Sequence, residues 1–374
     1  MFDVVVVGGN LSGSNAAVNA ASKGISVALI ERNREPFAPA HCGEATAYTA
    51  LDLLDLDKNN YTKNEIKSII VNIASSKEYV FKLKKIKIFI FDRNCVEKNL
   101  LEKAEKKGVK LLLGTSMRSF NPPNEIVLDD NRKIRGKIII DASGIACQVG
   151  RRVGIDTKIS KKDIGVCIQS RVKGDFNSDT MKMWFHKPYA PFGYAWLFPL
   201  NEKMANIGLG VPGTQKVDLS NLLKKYVEDM TGGEHEIINT FRACVPLAAP
   251  MKKLTKDNIM IVGDAARLVN STLGSGIENA VFSGSLAGLI ASKYIRKEIP
   301  SLEIYQDAMY HNISMLNKYY IRREKLFEDE ERFVKGVRRA FSILCFSNKL
   351  FPTLLQKSVK KYLEKNKLIL ELHK

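Results

Sequence analysis

Three short stretches of this chain combine glycines and acids in ways that could hold a phosphorylated ligand. The first is Gly8-Gly9-Asn10-Leu11-Ser12-Gly13, directly after the run Val4-Val5-Val6-Val7. Gly8 permits a tight turn, Gly13 lets a helix lie close to a strand, and the helix start offers N–H groups to a pyrophosphate. Asn10 stands where the dinucleotide-binding pattern has its second glycine. Asparagine tolerates a left-handed backbone, but its side chain crowds a phosphate. Glu31 ends the next apolar run and is suited to binding ribose hydroxyls. The second stretch is Ile138-Ile139-Ile140-Asp141-Ala142-Ser143-Gly144. The third is Ile259-Met260-Ile261-Val262-Gly263-Asp264-Ala265-Ala266, followed by Gly274-Ser275-Gly276-Ile277 and a helical pattern. Three such turns far apart in sequence fit one long ligand touched at several points. FAD is such a ligand, whereas NAD would need only the first turn.

Cys42 lies in His41-Cys42-Gly43-Glu44-Ala45, where a thiol is either a small core residue or part of a site. Tyr194, Trp196 and Phe198 alternate, so on a strand they share one face. Taken alone, such a triplet is ordinary core. His186 and His235 have no second ligand at metal spacing and read as surface or loop residues, so no metal site is expected. The six cysteines form no C-x-x-C pair, which points to reduced thiols and a cytoplasmic setting.

Hydrophobic periodicity supplies the elements that must position these groups. Val4–Val7, the small-residue stretch to Ser22 and Ile25–Ile30 read as a βαβ unit. Strands are expected at 66–73, 79–83, 86–91, 109–113 and 137–141, with a helix over 92–107. Residues 164–172, 180–185, 194–198 and 205–211 alternate as antiparallel strands, and a helix is expected over 277–295. The fold class is therefore α/β plus antiparallel β. A Rossmann-like FAD-binding domain spans 1–160 and 250–295, with 60–91 contributing to the substrate side. An antiparallel-sheet substrate domain is inserted at 161–249, and a C-terminal helical region with a basic tail covers 296–374.

The 374 residues are 45% hydrophobic and 26% charged, which excludes collagen-like, disulfide-framework and wholly disordered classes. Met1 leads directly into a strand, so no secretory signal is expected, and no apolar run is long enough to span a bilayer. The net charge is +18. From Arg332 onward eleven lysines and arginines face two acids, which puts half of that surplus in the tail. Phe333, Val337, Phe341 and Leu344 form one apolar stripe there, and Phe351, Leu355, Val359 and Tyr362 a second beyond Pro352.

The glycine turn, Asp92-Arg93 opening a helix, Asp141-Ala142-Ser143-Gly144 and Gly263-Asp264-Ala265-Ala266 together resemble the para-hydroxybenzoate hydroxylase-like flavoproteins. Within that group, Tyr194-Ala195-Trp196-Leu197-Phe198-Pro199 is similar to the Y-x-W-x-F-P signature of geranylgeranyl reductases. The Cys42 loop resembles the cysteine-bearing loop of the archaeal digeranylgeranylglycerophospholipid reductases. The resemblance covers about residues 1–295, and Asn10 and Arg267 depart from its commonest pattern.

What the resemblance implies is FAD as cofactor, with Gly8, Ser12 and Gly13 in the pyrophosphate turn and Glu31 on the adenosine ribose with Arg32 beside it. Cys42, Gly43 and Ala45 would line the flavin. Arg93 would reach the phosphates or ribityl chain, and Met117 would contact adenine through its backbone. Asp264 would bind the ribityl region, while Gly274, Gly276 and Ile277 would face the pyrimidine end of the ring. Cys42 is also the catalytic assignment, and Tyr194, Trp196 and Phe198 would bind the prenyl chain. The implied activity is saturation of C=C bonds in geranylgeranyl lipids, with electrons from ferredoxin or NADPH. A flavin monooxygenase or halogenase of the same fold, or a non-catalytic prenyl-lipid-binding protein, are the alternatives. With a lipid substrate, the basic tail is expected to dock on an anionic membrane surface. No nucleic-acid-reading motif is present, so nucleic acid is not expected as a partner.

Overall fold

The computed structural model describes residues 1–21, 24–35, 42–47, 49–74, 77–83, 87–350 and 371. Val4 to Val7 are all buried, as a central parallel strand covered on both faces requires. That strand, β1 (Phe2–Val7), pairs in parallel with β2 (Val27–Glu31) and with β11 (Lys133–Asp141). Beyond β2 lies β8 (Lys110–Leu113), and beyond β11 lie β18 (Ile259–Ile261) and β17 (Thr255–Lys256). β10 (Glu125–Leu128) pairs with β11, and β9 (Met117–Asn121) pairs with β10, both antiparallel. The register sets Val7 opposite Asp141 and Asp141 opposite Ile261. Three turns remote in sequence thus leave the sheet side by side from one edge.

A second sheet runs in the order β16 (Glu236–Pro246), β12 (Ile164–Lys173), β15 (Met204–Pro212), β14 (Ala190–Asn201), β13 (Thr180–His186), β5 (Ser68–Ile73) and β6 (Lys77–Lys82). All its pairings are antiparallel except β13 with β5. A small sheet of β3 (Ala45–Ala47), β7 (Ile88–Phe91) and β4 (Thr62–Ile66) lies between the two. The single strand expected over 66–73 is therefore two. Lys67 and Ser68 both donate to the carbonyl of Asp179, which turns the chain from one sheet into the other.

Helices α1 (Leu11–Ala20), α4 (Arg93–Lys106) and α7 (Ile277–Ile295) cover the parallel sheet. Short helices α2 (Thr49–Leu53), α3 (Lys58–Tyr61) and α5 (Gln148–Arg152) fill connections. Helix α6 (Leu219–Thr231) lies within the region read as strands and packs Leu223, Tyr226 and Val227 into the core of the second sheet.

Two long helices follow, α8 (Glu303–Leu326) and α9 (Glu330–Leu350). Arg323 of α8 is buried and pairs with Asp163 at 2.8 Å, tying the helix to the start of β12. On α9, Phe333 and Val337 pack with Phe341 against Val71, Ile73, Tyr79 and Phe185. The first apolar stripe of the tail is thus core of the second sheet rather than a membrane face. The side chain of Leu344 and the second stripe from Phe351 to Tyr362 lie outside the described residues, as do residues 36–41. His186, expected at the surface, is buried at the end of β13. Its Nδ1 accepts from the Phe192 N–H at 3.1 Å, and its Nε2 lies 2.9 Å from Glu330. Aromatic rings of Phe192 and Phe333 shield it on the remaining sides. Among the described residues, no helix is long and apolar enough to cross a membrane, and no cluster of His, Cys, Asp and Glu could hold a metal ion.

Candidate active site

At the first turn, Gly8 has φ +104°, and a Cβ there would run into the Ala142 carbonyl carbon at 2.8 Å. Only glycine suits that position. Asn10 does not adopt the left-handed backbone that its type allows. Its φ is −73°, and it serves as the N-cap of α1. Oδ1 accepts from the N–H of Ser12 (3.1 Å) and Gly13 (3.3 Å), while Nδ2 donates to the Ala142 carbonyl (2.7 Å). Two of the N–H groups expected to meet a pyrophosphate are therefore already bonded. Glu31 accepts from the N–H of Gly9 (2.7 Å) and Asn33 (2.9 Å). A carboxylate has roughly four acceptor positions, so Glu31 can still take a ribose hydroxyl. Arg32 is exposed beside it. The Thr115 N–H donates to the Glu31 carbonyl, which brings the start of β9 and Met117 to the same corner, with the Met117 side chain in the core.

The third turn is fastened to the first. A Cβ on Gly284 would overlap the Ser12 carbonyl, and one on Gly288 would overlap that of Ala16. The backbones of α1 and α7 therefore touch, and Asn15 bonds the Val281 carbonyl (2.9 Å) and Ser285 hydroxyl (2.5 Å) across the seam. Gly263, at φ +57°, donates to Ser283 (3.0 Å). Helix α7 starts at Gly276 without a side-chain cap. A Cβ on Gly276 would lie 3.5 Å from Asp264 Oδ1, so this carboxylate sits at the open helix end. Burial pushes the Asp264 carboxyl above its ordinary range, and Arg93 opposes the shift. Gly274 has φ +68° with open space where a side chain would stand.

Arg93 opens α4, bonds Glu97 at 2.8 Å and lies against the Cys42 thiol. Burial acts to lower its basicity, but Glu97 and Cys42 outweigh it and hold the guanidinium charged. The Cys42 sulfur also accepts from the Glu44 N–H (3.2 Å). Glu44 itself is 2% exposed with φ +64°. Its carboxylate accepts from the Arg93 N–H (3.3 Å), Asn206 Nδ2 (2.8 Å) and Arg171 Nη2. Burial raises its carboxyl, with Arg171 as the main opposing charge. From the second sheet, Gln169 donates to the Cys42 carbonyl (3.0 Å) and Asn206 to that of Gly43 (3.3 Å). The next residue, Ala45, begins β3.

Tyr194, Trp196 and Phe198 form a ladder on β14, with ring centroids 5.6 Å and 6.2 Å apart. Its upper end meets the Cys42 loop, since a Cβ on Gly43 would lie 2.9 Å from the Phe198 ring. Trp196 lies over Gly208 and donates to Gln169 (2.8 Å). Trp196 and Phe198 are each only 8% exposed. Tyr194 stacks on Phe185 and donates its hydroxyl to the Leu273 carbonyl (2.6 Å), beside Gly274.

Glu44, Gln169, Arg171 and Asn206 escaped assignment from sequence. The three on strands are polar groups at inward positions with no motif around them, and Glu44 is signalled only by following Cys42-Gly43. Gly284 and Gly288 carry the small-x-x-x-small spacing of close helix pairs, which is legible.

An uncapped helix end, a desolvated acid beside it, a glycine opening and an acid at the end of β2 together suit a flavin. The ring can accept from N–H groups, and the attached hydroxyls can donate to carboxylates. Residues 163–245 match the model of the geranylgeranyl reductase catalytic domain, and residues 3–149 match that of glucose inhibited division protein A. A digeranylgeranylglycerophospholipid reductase of Methanococcoides burtonii is 30% identical over 322 residues, covering 82% of this chain and 78% of its own. A geranylgeranyl bacteriochlorophyll reductase-like protein of Thermoplasma acidophilum superposes with a TM-score of 0.82 at 25% identity, over 95% of this chain and 98% of that one. The myxobacterial chondrochloren halogenase, at 16% identity and a TM-score of 0.72, covers 99% of this chain and 96% of that one and shares the fold alone. The chain is a flavoprotein, and it belongs to the digeranylgeranylglycerophospholipid reductase family.

Proposed function

We propose that this protein is an FAD-dependent reductase that saturates the C=C bonds of geranylgeranyl chains on membrane phospholipids. The observation that carries this reading is the aromatic ladder ending at the Cys42–Glu44 loop. There the ladder meets the Cys42–Glu44 loop at Gly43 and, through the Tyr194 hydroxyl, the Leu273–Gly274 turn before α7. Reduced FAD, when bound, supplies a hydride to one alkene carbon, and the other carbon takes a proton. An isolated alkene has no carbonyl to polarise, so the protein's contribution is positioning in a dry space.

Glu31 would hold the adenosine end. Ser12, whose N–H and hydroxyl both donate to Asn10, would shape the pyrophosphate turn without binding the phosphates itself. Asp264 would accept from ribityl hydroxyls, and the N–H groups of Gly276 and Ile277 would donate to the ring. Arg93 would neutralise phosphate charge while staying bonded to Glu97. Tyr194, Trp196 and Phe198 exclude water and orient the flat alkene. Cys42, held by Arg93 and the Glu44 N–H, is the catalytic assignment, a thiol able to hold or move a proton. Ferredoxin or NADPH would replenish the electrons. The basic residues of the tail, including exposed Lys335 and Arg339 on α9, attract the anionic surface that holds the substrate.

The test is anaerobic incubation of the chemically reduced, FAD-loaded protein with geranylgeranyl phospholipid, followed by mass spectrometry. The expected result is lipid heavier in steps of two hydrogens. Unchanged lipid, or oxygen uptake with NAD(P)H and an aromatic substrate, would overturn the proposal in favour of a monooxygenase or halogenase.

A further inference from the structure

We propose that Glu44 is a positioning residue for the reduction: bonded to Arg171 and Asn206, its carboxylate fixes the Cys42–Gly43 segment against the substrate sheet. The inference rests on the reading that this segment borders the flavin. Glu44 belongs by sequence to the loop after β2, yet two of its three side-chain bonds go to β12 and β15 of the other sheet. The third goes to the Arg93 N–H at the start of α4, so one carboxylate joins the loop, the cofactor side and the substrate side.

The partners are themselves organised. Arg171 Nε donates to Asn206 Oδ1 (3.2 Å), which aims the Asn206 amide N–H₂ at Glu44 and at the Gly43 carbonyl. The backbone of Glu44 adds two more constraints. Its N–H holds the Cys42 sulfur, and its carbonyl accepts from the Phe91 N–H (3.0 Å). Glu44 also stands at φ +64°, a conformation that non-glycine residues keep only where the surroundings enforce it. Without the carboxylate, the half-buried guanidinium of Arg171 loses its ion-pair partner, and the left-handed turn loses its anchor. Gly43 would then lift from Phe198, and the thiol of Cys42 would no longer sit at a fixed distance from the aromatic ladder.

Glu44→Ala tests this in two ways. In the flavin-free protein, alkylation by iodoacetamide is followed peptide by peptide. Cys42 is expected to react about tenfold faster than in wild type, because local opening of the loop sets its access. Buried Cys147 serves as the control for global unfolding and should stay protected. In the FAD-loaded protein, anaerobic single turnover with geranylgeranyl phospholipid is expected to slow about 100-fold, with KM for the lipid and flavin occupancy little changed. Glu44→Gln keeps the volume and one acceptor oxygen but turns an N–H₂ toward two donors, and should fall between. Unchanged Cys42 reactivity in both variants would overturn the inference, as would a wild-type turnover rate. So would exposure of Cys147 in both, because Glu44 would then be a folding element. Should wild type itself fail to reduce the lipid, the proposed activity falls, while the alkylation result still judges the clamp.

Discussion

Helices α1 and α7 start at the same edge of the parallel sheet and touch along their lengths, yet their N-termini are finished differently. The first turn of α1 is closed by its own chain, with Asn10 occupying the N–H groups of Ser12 and Gly13. The first turn of α7 has no side-chain cap and faces the desolvated carboxyl of Asp264. Where the dinucleotide pattern concentrates anion binding at α1, this protein leaves the more available donors at α7. On the proposed cofactor assignment, recognition would lean toward the ring end, with Glu31 taking the other end by its carboxylate.

The comparison depends on the two helices staying in contact, so its severest test is Gly284→Leu. That side chain must displace the Ser12 carbonyl, and a loss of about 3 kcal/mol in denaturant unfolding, with flavin binding abolished, is expected. Wild-type stability in this variant would show that the helices can part without harm.

Asp264→Asn sharpens the α7 side. A carboxyl whose pKa is raised on folding binds its proton more tightly in the native state, so its contribution is greatest below the unfolded value. It is lost as pH rises through the folded value. At neutral pH, well above the unfolded value, this desolvated acid therefore weakens the flavin-free protein. The variant should therefore melt higher than wild type at pH 7, the gap closing as pH falls toward about 4. Its affinity for FAD should fall at the same time. A gap that widens on acidification would refute the assignment.

Asn10→Gly has the smallest effect and addresses α1. Removing the cap and the bond to Ala142 should cost the flavin-free protein about 1 kcal/mol. It should also tighten FAD binding, by about fivefold in a fluorescence titration, since two N–H groups become available. Weaker binding would mean that Asn10 itself contacts the cofactor.

Much of this is legible in the sequence. The valine run, Glu31, the Ile138–Asp141 strand and helix 277–295 follow from periodicity and turn chemistry, because parallel strands buried on both faces have few alternatives. The register that brings Val7, Asp141 and Ile261 together is not local, but three similar strand-to-turn patterns imply it. The Glu44 network was hidden for a physical reason. Arg171 and Asn206 occupy inward strand positions that are normally apolar, and their compensation comes from a loop more than a hundred residues away. The apolar stripe of α9 was visible, but an amphipathic pattern does not say which surface it meets. His186 looked unremarkable in sequence because what encloses it, Phe333 of α9, arrives from another part of the chain.

The parallel pairing of β13 with β5 has a consequence for how the protein is made. The hairpin of β5 and β6 leaves the ribosome about a hundred residues before β13, the strand on which it must lie. At roughly 5–20 residues per second, Ile69, Val71 and Ile73 wait on the order of ten seconds for that neighbour. α9, which covers them from the other side, is synthesised later still. Non-local pairing of this kind is slow, and an unpaired apolar strand invites association between chains. Recovery of active protein should therefore depend on synthesis rate and on holding chaperones more than the stability of the finished fold would suggest.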